Sequence, residues 1–262
     1  MSKLLLDEGE LDRCIGLIKD SIREIVEESG SKGVVLGLSG GIDSSLLLKL
    51  ASDSGVDIYA LILPEEGVSG MDDVRDAMDL AKDLGVKYSV IKINPVLESI
   101  EKNFCWDEFS KGNKQIPWGN VKARTRMILN YLVANLDNRI VLGTGNKTEI
   151  LLGYNTKYGD GGVDIEPLGD LYKTQVKQLA EHLKIPRKII DKEPSAGLWK
   201  GQTDRGELGA NYEEIDEILY CLINKQIKET LDKKLIKKIS EMIVKNKHKR
   251  LTPGITRLFN QA

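Results

Sequence analysis

The fold is decided by the segment GVVLGLSGGIDSS, which spans residues 33–45. Residues 33–38 are apolar or glycine with no polar alternation, as in a strand that is buried on both faces of a parallel sheet. Small and polar residues follow, and then an apolar run of helical character at 42–50. We therefore predict a strand, a glycine-rich turn and a helix whose N-terminus lies at the carboxyl end of the strand.

The same alternation continues on both sides of this segment. Further strands are predicted at 58–63, 88–93 and 140–142, and further helices at 8–29, 72–84, 121–136 and 172–183. Because crossover helices must cover both faces of a parallel sheet, we expect an α/β fold with a doubly wound, Rossmann-like parallel sheet and additional C-terminal helices. We expect a single domain over residues 1–262, with the core sheet within about residues 30–185 and the C-terminal helices within about residues 210–250.

Composition argues against several classes of protein. The chain has 38 Lys and Arg residues against 40 Asp and Glu residues, a formal net charge of −2, unlike a general nucleic-acid coat or a polybasic membrane binder. It has no window of about 18 apolar residues, which a membrane-spanning helix requires. Cys14, Cys105 and Cys221 are far apart and fit neither a disulfide framework nor a metal knuckle. We therefore expect a cytoplasmic protein that binds neither nucleic acid nor a membrane.

The turn after the first strand has the composition of an anion site. Gly40 and Gly41 let backbone N–H groups approach an anion closely, and Ser39 and Ser44 add hydroxyl donors. Asp43 by itself would repel a phosphate, so its position indicates a divalent cation between the two, with Mg²⁺ as the default candidate. The segment lacks the lysine of the G-x-x-x-x-G-K-[ST] motif, which argues against an enzyme that transfers the terminal phosphate.

These residues resemble a known family. SGGIDSS is similar to the phosphate loop of the ATP pyrophosphatases, which cleave ATP between the α and β phosphates. Four further segments resemble the NAD synthetase family: RTRM at 124–127, GTGNKTE at 143–149, TKYGDGGVD at 156–164 and EPSA at 193–196. The resemblance covers roughly residues 10–255. It implies a fold of the adenine nucleotide alpha hydrolase type, and the ATP-dependent amidation of deamido-NAD to NAD through an adenylate, with release of AMP and pyrophosphate.

The resemblance also implies which residues bind ATP and magnesium. Asp43 and Glu149 are expected to hold Mg²⁺, and together with Lys173 they are the expected catalytic residues. The expected contacts to ATP, the co-substrate, are Gly37, Leu38, Ser39, Gly40, Gly41, Ile42, Asp43, Ser44, Thr144, Lys173 and Ser195. Taken without the resemblance, Glu149 also fits a first-turn helix acid, Lys173 a surface lysine and Ser195 a turn residue.

The residues that the resemblance assigns to deamido-NAD come from separate parts of the chain. They are Arg124, Lys157, Asp164, His248 and Lys249. Arg124 falls three residues after Val121 and four before Ile128, so we predict that it points inward while Arg126 points away from the apolar stripe. An inward guanidinium needs an anion, which is either the substrate or a structural ion-pair partner.

Two stretches rich in glycine and a cationic tail complete the pattern. Residues 153–169 are predicted to form a long loop, and residues 194–209 a mobile lid over the reactive adenylate. Residues 225–250 contain ten Lys and Arg against three acids, which fits either a solvated helix face or a contact to the anionic substrate.

The resemblance implies a nitrogen source and an assembly as well. Glutamine-dependent relatives carry a separate amidase domain, for which 262 residues leave no room, so free ammonia is the expected donor. A homodimer with the dinucleotide near the subunit interface is also implied. Two other functions stay open: another ligase of the ATP pyrophosphatase type, such as a tRNA-thiolating or amino-acid-amidating enzyme, and an ATP-binding sensor without turnover. The lack of a C-x-x-C pair argues against thiolation, and the group of Asp43, Glu149 and Lys173 argues against mere storage.

Overall fold

The computed structural model describes residues 4–109, 112–226 and 228–256. At its centre is a parallel sheet of four strands, β1 Gly33–Gly37, β2 Ile58–Ile62, β3 Lys87–Val90 and β4 Arg139–Leu142. The strands lie in the order β3-β2-β1-β4. The chain therefore winds outward from β1 in both directions. The carboxyl ends of β1 and β4 flank the point where the winding reverses, which is where open α/β sheets bind ligands.

Helices cover both faces of this sheet. In the described ranges they are α1 Glu8–Ser29, α2 Ile42–Ser54, α3 Met71–Asp83, α4 Asn94–Asn103, α5 Gln115–Asp137, α6 Lys147–Leu152, α7 Lys173–His182, α8 Arg187–Ile190, α9 Asp204–Leu208, α10 Tyr212–Ile223 and α11 Lys233–Lys245. Short 3₁₀ turns occupy Trp106–Glu108 and Lys247–Arg250. None of the helices in these ranges has the length and apolarity that a membrane crossing requires.

Burial of β1 on both faces explains its unbroken apolar sequence. Val34 and Leu36 pack in a core with residues of α1, α2 and α7, whereas Val35 packs on the opposite face with Ala134 of α5. The side chains of Val34, Val35 and Leu36 are fully buried. A polar residue at any of these positions would lose its hydration without gaining a partner. The predicted doubly wound sheet is thus confirmed.

Several element boundaries differ from prediction. The strand predicted at 88–93 ends at Val90, and α4, which was not predicted, begins at Asn94 with a proline in its first turn. α5 begins at Gln115, six residues before the predicted start, since Pro117 is also tolerated in a first turn. The predicted lid at 194–209 is partly helical, because it contains α9.

The C-terminal helices form a second core against the sheet domain's helices. α10 and α11 pack on α6 and α7, and bury Leu152, Ile215, Leu219 and Ile239. The lysines on the opposite side of α11 are exposed, so that this part of the cationic tail is a solvated helix face. Cys14, Cys105 and Cys221 are all free thiols, as their spacing predicts.

Candidate active site

The glycine turn after β1 is shaped by close backbone packing. Gly40 has a φ of +81°, and a Cβ atom on it would lie 2.2 Å from the backbone oxygen of Asp73, in the first turn of α3. A side chain at this position would therefore push α3 away from the turn. Gly41 is the N-cap of α2, so the unpaired N–H groups of the first turn of α2 lie beside the end of β1.

Three charged side chains from three helices meet beside this turn. The ammonium of Lys173, the first residue of α7, lies 2.5 Å from Oδ2 of Asp43 in α2 and 3.1 Å from Oε1 of Glu149 in α6. The side chain of Lys173 is only 8% exposed. The structure thus brings together the three residues that were predicted to be catalytic.

Asn146 links two members of this group. Its Oδ1 accepts the N–H of Glu149 at 3.0 Å and so caps α6, while its Nδ2 donates to Oδ1 of Asp43 at 2.9 Å. The residue is fully buried. Sequence reasoning missed it, although an Asn followed three residues later by a Glu is the pattern of a capping box.

Burial and the neighbouring charges shift the pKa values of Glu149 and Lys173. Burial raises the pKa of Glu149, and the neighbouring Asp43 raises it further, against the opposing effect of Lys173. Burial alone lowers the pKa of Lys173, but the carboxylates of Asp43 and Glu149 outweigh this and raise it above its ordinary value. Lys173 therefore stays protonated, because the neighbouring carboxylates stabilise its ammonium.

The first turn of α7 is anchored by a second buried carboxylate. Asp216 of α10 accepts the hydroxyl of Thr148 and the N–H of Thr174, the latter at 2.8 Å. The Thr148 hydroxyl in turn accepts the N–H of Lys173 at 3.0 Å. A carboxylate at a helix N-terminus is also favoured by the helix dipole. Asp216 was not predicted, because its helix carries several other acidic residues and its sequence does not single it out.

A cavity of about 710 Å³ extends along the carboxyl end of the sheet and includes this group. The predicted ATP residues that line it are Gly37, Leu38, Ser39, Gly41, Ile42, Asp43, Ser44, Thr144, Lys173 and Ser195. Gly40 is not a lining residue, since it packs against α3 instead. The hydroxyl of Ser195 donates to the carbonyl of Gln202 at 2.8 Å and accepts the N–H of Gly197 at 3.1 Å. Ser195 thus stabilises a turn at the edge of the cavity, and its contact with ATP stays a prediction.

The predicted orientation of the two arginines on α5 is wrong. Arg124 is exposed, and its guanidinium donates to the carbonyl of Lys157 at 3.2 Å. Arg126 points inward instead, lines the cavity and donates from Nε to the carbonyl of Leu63 at 3.0 Å. The reason is that α5 has apolar residues on two faces. Ile128, which defined the supposed buried stripe, is itself 59% exposed.

Most of the predicted deamido-NAD residues lie at the surface outside the cavity. Lys157 donates from Nζ to the carbonyl of His248 at 2.6 Å, so that Arg124, Lys157 and His248 form one connected group. Asp164 is exposed and accepts the hydroxyl of Tyr131 at 2.9 Å. None of these four predicted residues is among those that line the cavity in the described part of the chain.

Lys249 is the member of the predicted set that does line the cavity. Its ammonium donates to the carbonyls of Gly153 and Asn155 at 2.7 and 2.6 Å. Burial lowers the pKa of Lys249, against the opposing charge of Asp160. The end of the cationic tail therefore reaches the glycine-rich loop after α6, which spacing alone did not predict.

The sequence of this chain is similar to those of known proteins. The family model described as NAD synthase matches residues 14–253. An NH3-dependent NAD(+) synthetase from Archaeoglobus fulgidus is 47% identical over 94% of this chain and 97% of its own length. One from Staphylothermus marinus is 44% identical over 94% and 92%.

The chain belongs to the NAD synthase family.

Two solved structures have a fold similar to that of this chain. An NMN synthetase from Francisella tularensis has a TM-score of 0.82 and 36% identity, over 95% of this chain and 97% of that chain. An NH3-dependent NAD synthetase from Campylobacter jejuni, in complex with the nitrate ion, has a TM-score of 0.81 and 34% identity, over 96% and 100%. The sheet described here is thus the adenine nucleotide alpha hydrolase fold of the family, as the phosphate loop predicted.

A carboxylate that sequence reasoning missed lies against the loop after β4. Cβ atoms on Gly143 and Gly145 would lie 2.3 Å and 3.0 Å from the carboxylate oxygens of Glu166. The N–H of Gly145 donates to Oε2 of Glu166 at 2.8 Å. The glycines on either side of Thr144 are therefore needed for contact with Glu166. Nothing in the local sequence predicts this contact, because Glu166 is 21 residues further along the chain than Gly145.

The predicted lid is anchored to the rest of the structure. The buried ammonium of Lys122 lies 2.7 Å from the carbonyl of Leu198, within the lid segment, and 2.8 Å from a carboxylate oxygen of Glu65. Asp204 at the start of α9 accepts the hydroxyl of Tyr212 at 2.7 Å. Residues of the segment 194–209 form one wall of the cavity.

The buried carboxyl group of Glu166 should make the stability of the protein depend on pH. Burial raises the pKa of Glu166 to about 8, with smaller contributions from Glu149 and Asp160 and an opposing one from the N–H of Gly145. The folded protein therefore holds a proton that the unfolded chain releases near the ordinary glutamate pKa of about 4.3. The stabilisation from this proton is complete below that value and is lost as the pH rises toward 8.

We expect the Glu166→Gln variant to lose less stability than the parent between pH 5 and pH 8. Glutamine keeps an acceptor for the Gly145 N–H but carries no proton that titrates. Thermal unfolding at four pH values measures the difference in stability between the two proteins. Parallel pH profiles of melting temperature would show that the Glu166 carboxyl titrates normally.

Proposed function

We propose that this protein catalyses the ATP-dependent amidation of deamido-NAD by ammonia, with formation of NAD, AMP and pyrophosphate. The observation that carries the proposal is the buried group of Asp43, Glu149 and Lys173 beside the glycine turn after β1. Membership of the NAD synthase family supports the same reaction. Ammonia as the nitrogen donor is supported by the names of relatives whose full length this chain nearly covers.

The phosphate loop and Lys173 supply what a bound triphosphate needs. The first turn of α2 offers unpaired N–H groups and the positive end of a helix dipole. Ser39 and Ser44 have hydroxyls 3.0 Å apart that line the cavity, and both are able to donate to phosphate oxygens. The ammonium of Lys173 is fixed within the same cavity. These groups are in place before the reaction, so little reorganisation opposes charge development at phosphorus.

The reaction that fits these groups has two steps. A carboxylate oxygen of the nicotinate attacks the α-phosphorus of ATP, the bond to the β-phosphate oxygen breaks, and pyrophosphate leaves with an adenylate formed. Ammonia then attacks the acyl carbon, the acyl–oxygen bond to AMP breaks, and the surplus proton passes to solvent. The protein contributes mainly positioning and charge neutralisation. The anchored wall of residues 194–209 limits water, which would otherwise hydrolyse the adenylate.

We propose that Asp43 and Glu149 hold Mg²⁺ with the help of the ATP phosphates. Both groups offer carboxylate oxygens, the ligands that Mg²⁺ prefers, and Lys173 already shows that positive charge is stabilised in contact with both. The described residues contain no group of three or more His, Cys, Asp or Glu that could hold a metal alone. Mg²⁺ shared with the substrate would neutralise phosphate charge and orient the leaving group.

The assay that tests the function offers two acceptors. We expect the purified protein, with ATP, Mg²⁺ and ammonium chloride, to convert deamido-NAD to NAD with equal amounts of AMP and pyrophosphate, detected by mass spectrometry. Nicotinate mononucleotide is the competing acceptor, because one structural relative is named an NMN synthetase. Preference for the mononucleotide, or formation of ADP, would contradict the proposal. Pyrophosphate release without either acceptor would favour another ligase of the same superfamily.

Glu149→Gln tests the proposed magnesium ligands. Loss of one carboxylate should raise the Mg²⁺ concentration for half-maximal activity about tenfold or more. The control is Glu193→Gln, because Glu193 is an exposed glutamate that lines the same cavity without touching Lys173. Magnesium titrations of the two variants should differ. An unchanged magnesium requirement in Glu149→Gln would remove this residue from the metal site.

We also propose that the protein is a homodimer whose interface includes the exposed face of α5. Ile128, Leu132 and Leu136 follow one another at helical spacing on this face and are 59%, 51% and 78% exposed. Arg124 lies one turn earlier on the same stripe and contacts Lys157. The predicted deamido-NAD residues at the surface thus adjoin a large apolar strip. A second copy would cover the strip and enclose these residues.

Leu132→Asp should convert the dimer to a monomer and raise KM for deamido-NAD more than KM for ATP. A charge in an apolar symmetric interface is buried twice, once from each copy. Leu17→Asp is the matched control, since Leu17 on α1 is 58% exposed and distant in sequence from α5. Light scattering during gel filtration measures the mass of each variant. A monomeric parent protein would contradict the proposed dimer.

A further inference from the structure

Lys192, which was not among the predicted site residues, lines the same cavity and contacts the phosphate loop. It lies just after α8, and its ammonium is 2.6 Å from Oδ1 of Asp73, 3.0 Å from Oδ2 of Asp76 and 3.2 Å from the carbonyl oxygen of Gly40. An ammonium has three N–H donors. All three therefore have an acceptor, two on α3 and one on the glycine turn.

The contact with Gly40 fixes the orientation of one peptide unit. In a trans peptide the carbonyl oxygen of Gly40 and the N–H of Gly41 point in opposite directions. With the carbonyl held by Lys192, the N–H of Gly41 points to the other side, toward the hydroxyl of Ser39 at 3.2 Å. Ser39 and Gly41 line the cavity. Lys192 thus keeps an amide donor directed to the side where phosphate binds.

A glycine turn needs such an external constraint. Gly40 and Gly41 have no Cβ atoms, and the peptide between them is intrinsically free to rotate. On one side the turn is limited by the backbone of Asp73, which packs directly on Gly40. Lys192 binds both that helical turn and the Gly40 carbonyl, and so holds α3 and the glycine turn as one unit.

Lys188 provides an internal comparison. Its ammonium lies 2.6 Å from Oδ1 of Asp76 and 3.7 Å from Oδ2 of Asp79, so it shares the buried Asp76 with Lys192. Its side chain is 54% exposed, and its ion pairs are confined to α3. The two lysines therefore make similar acidic contacts but differ in their contact with the phosphate loop.

We propose that Lys192 is a positioning residue, which holds the Gly40–Gly41 peptide so that the Gly41 N–H meets the phosphates of ATP. The inference rests on the proposal above that this loop binds ATP. It assigns to Lys192 a function in nucleotide binding that Lys188 lacks, although both lysines stabilise α3 through Asp76.

The test compares Lys192→Met with Lys188→Met. Both variants should lower the melting temperature by a similar few degrees, because each removes ion pairs to the same helix. Calorimetric titration with ATP and Mg²⁺ should show Kd about tenfold higher for Lys192→Met and within twofold of the parent for Lys188→Met. KM for deamido-NAD should change little in either, so the effect is confined to ATP.

Failure of the proposed function and failure of the proposed role of Lys192 give different results in this experiment. A parent protein that binds no ATP would overturn the proposed function itself. A parent that binds ATP, with equal affinity in both variants, would overturn only the role of Lys192. If Lys192→Met does not fold, Asp76→Asn replaces it, since this change weakens the acidic contacts but leaves the contact with Gly40. It should lower the melting temperature and keep the ATP Kd within about twofold, and a tenfold rise would contradict the inference.

Discussion

The structure depends on a buried ion group in which one ammonium, Lys173, is shared by the carboxylates of Asp43 and Glu149. Removing charges from water is costly, and their mutual attraction compensates for it only when geometry and additional hydrogen bonds are good. Asn146 supplies such a bond to Asp43. Because two carboxyl groups face one ammonium, the group also offers oxygen ligands to a further cation.

Asp43, Glu149 and Lys173 belong to three different helices. Contacts outside the ion group fix two of these helices, α7 and α6. α7 is fixed by the carboxylate of Asp216 at its first turn. α6 is fixed at its other end by the cationic tail, where Arg250 donates to the carbonyl of Ile150 at 3.3 Å and Asn246 to that of Leu152 at 2.7 Å. Asn246, Lys249 and Arg250 are thus not part of the solvated helix face. They pair with helix-terminal carbonyls that would otherwise lack partners.

Sequence reasoning succeeded where one local pattern determines both structure and chemistry. The strand, turn and helix around Gly40 are dictated by apolar runs and by glycine, and the place of Asp43 follows from them. It failed where the decisive contact is distant in sequence, as for Asp216 with Thr148 and for Glu166 with Gly145. It also failed on α5, which is apolar on two faces, so that periodicity could not tell the buried face of Arg126 from the exposed face of Arg124.

The two sets of predicted binding residues differ in how they are held, and this has a physical reason. The predicted ATP residues lie mostly at the ends of buried strands and helices, where the sheet fixes N–H groups and charges at one edge. Arg124, Lys157 and His248 lie on the surface and are connected through backbone carbonyls, so that the guanidinium of Arg124 and the ammonium of Lys157 have no carboxylate partner within the described residues. A surface of this kind binds an anionic dinucleotide tightly only if water is excluded from it, because charge interactions are weak in high dielectric. In the proposed dimer, the exposed apolar face of α5 beside it would exclude water, so that ATP would be bound within one chain and the acceptor between two chains.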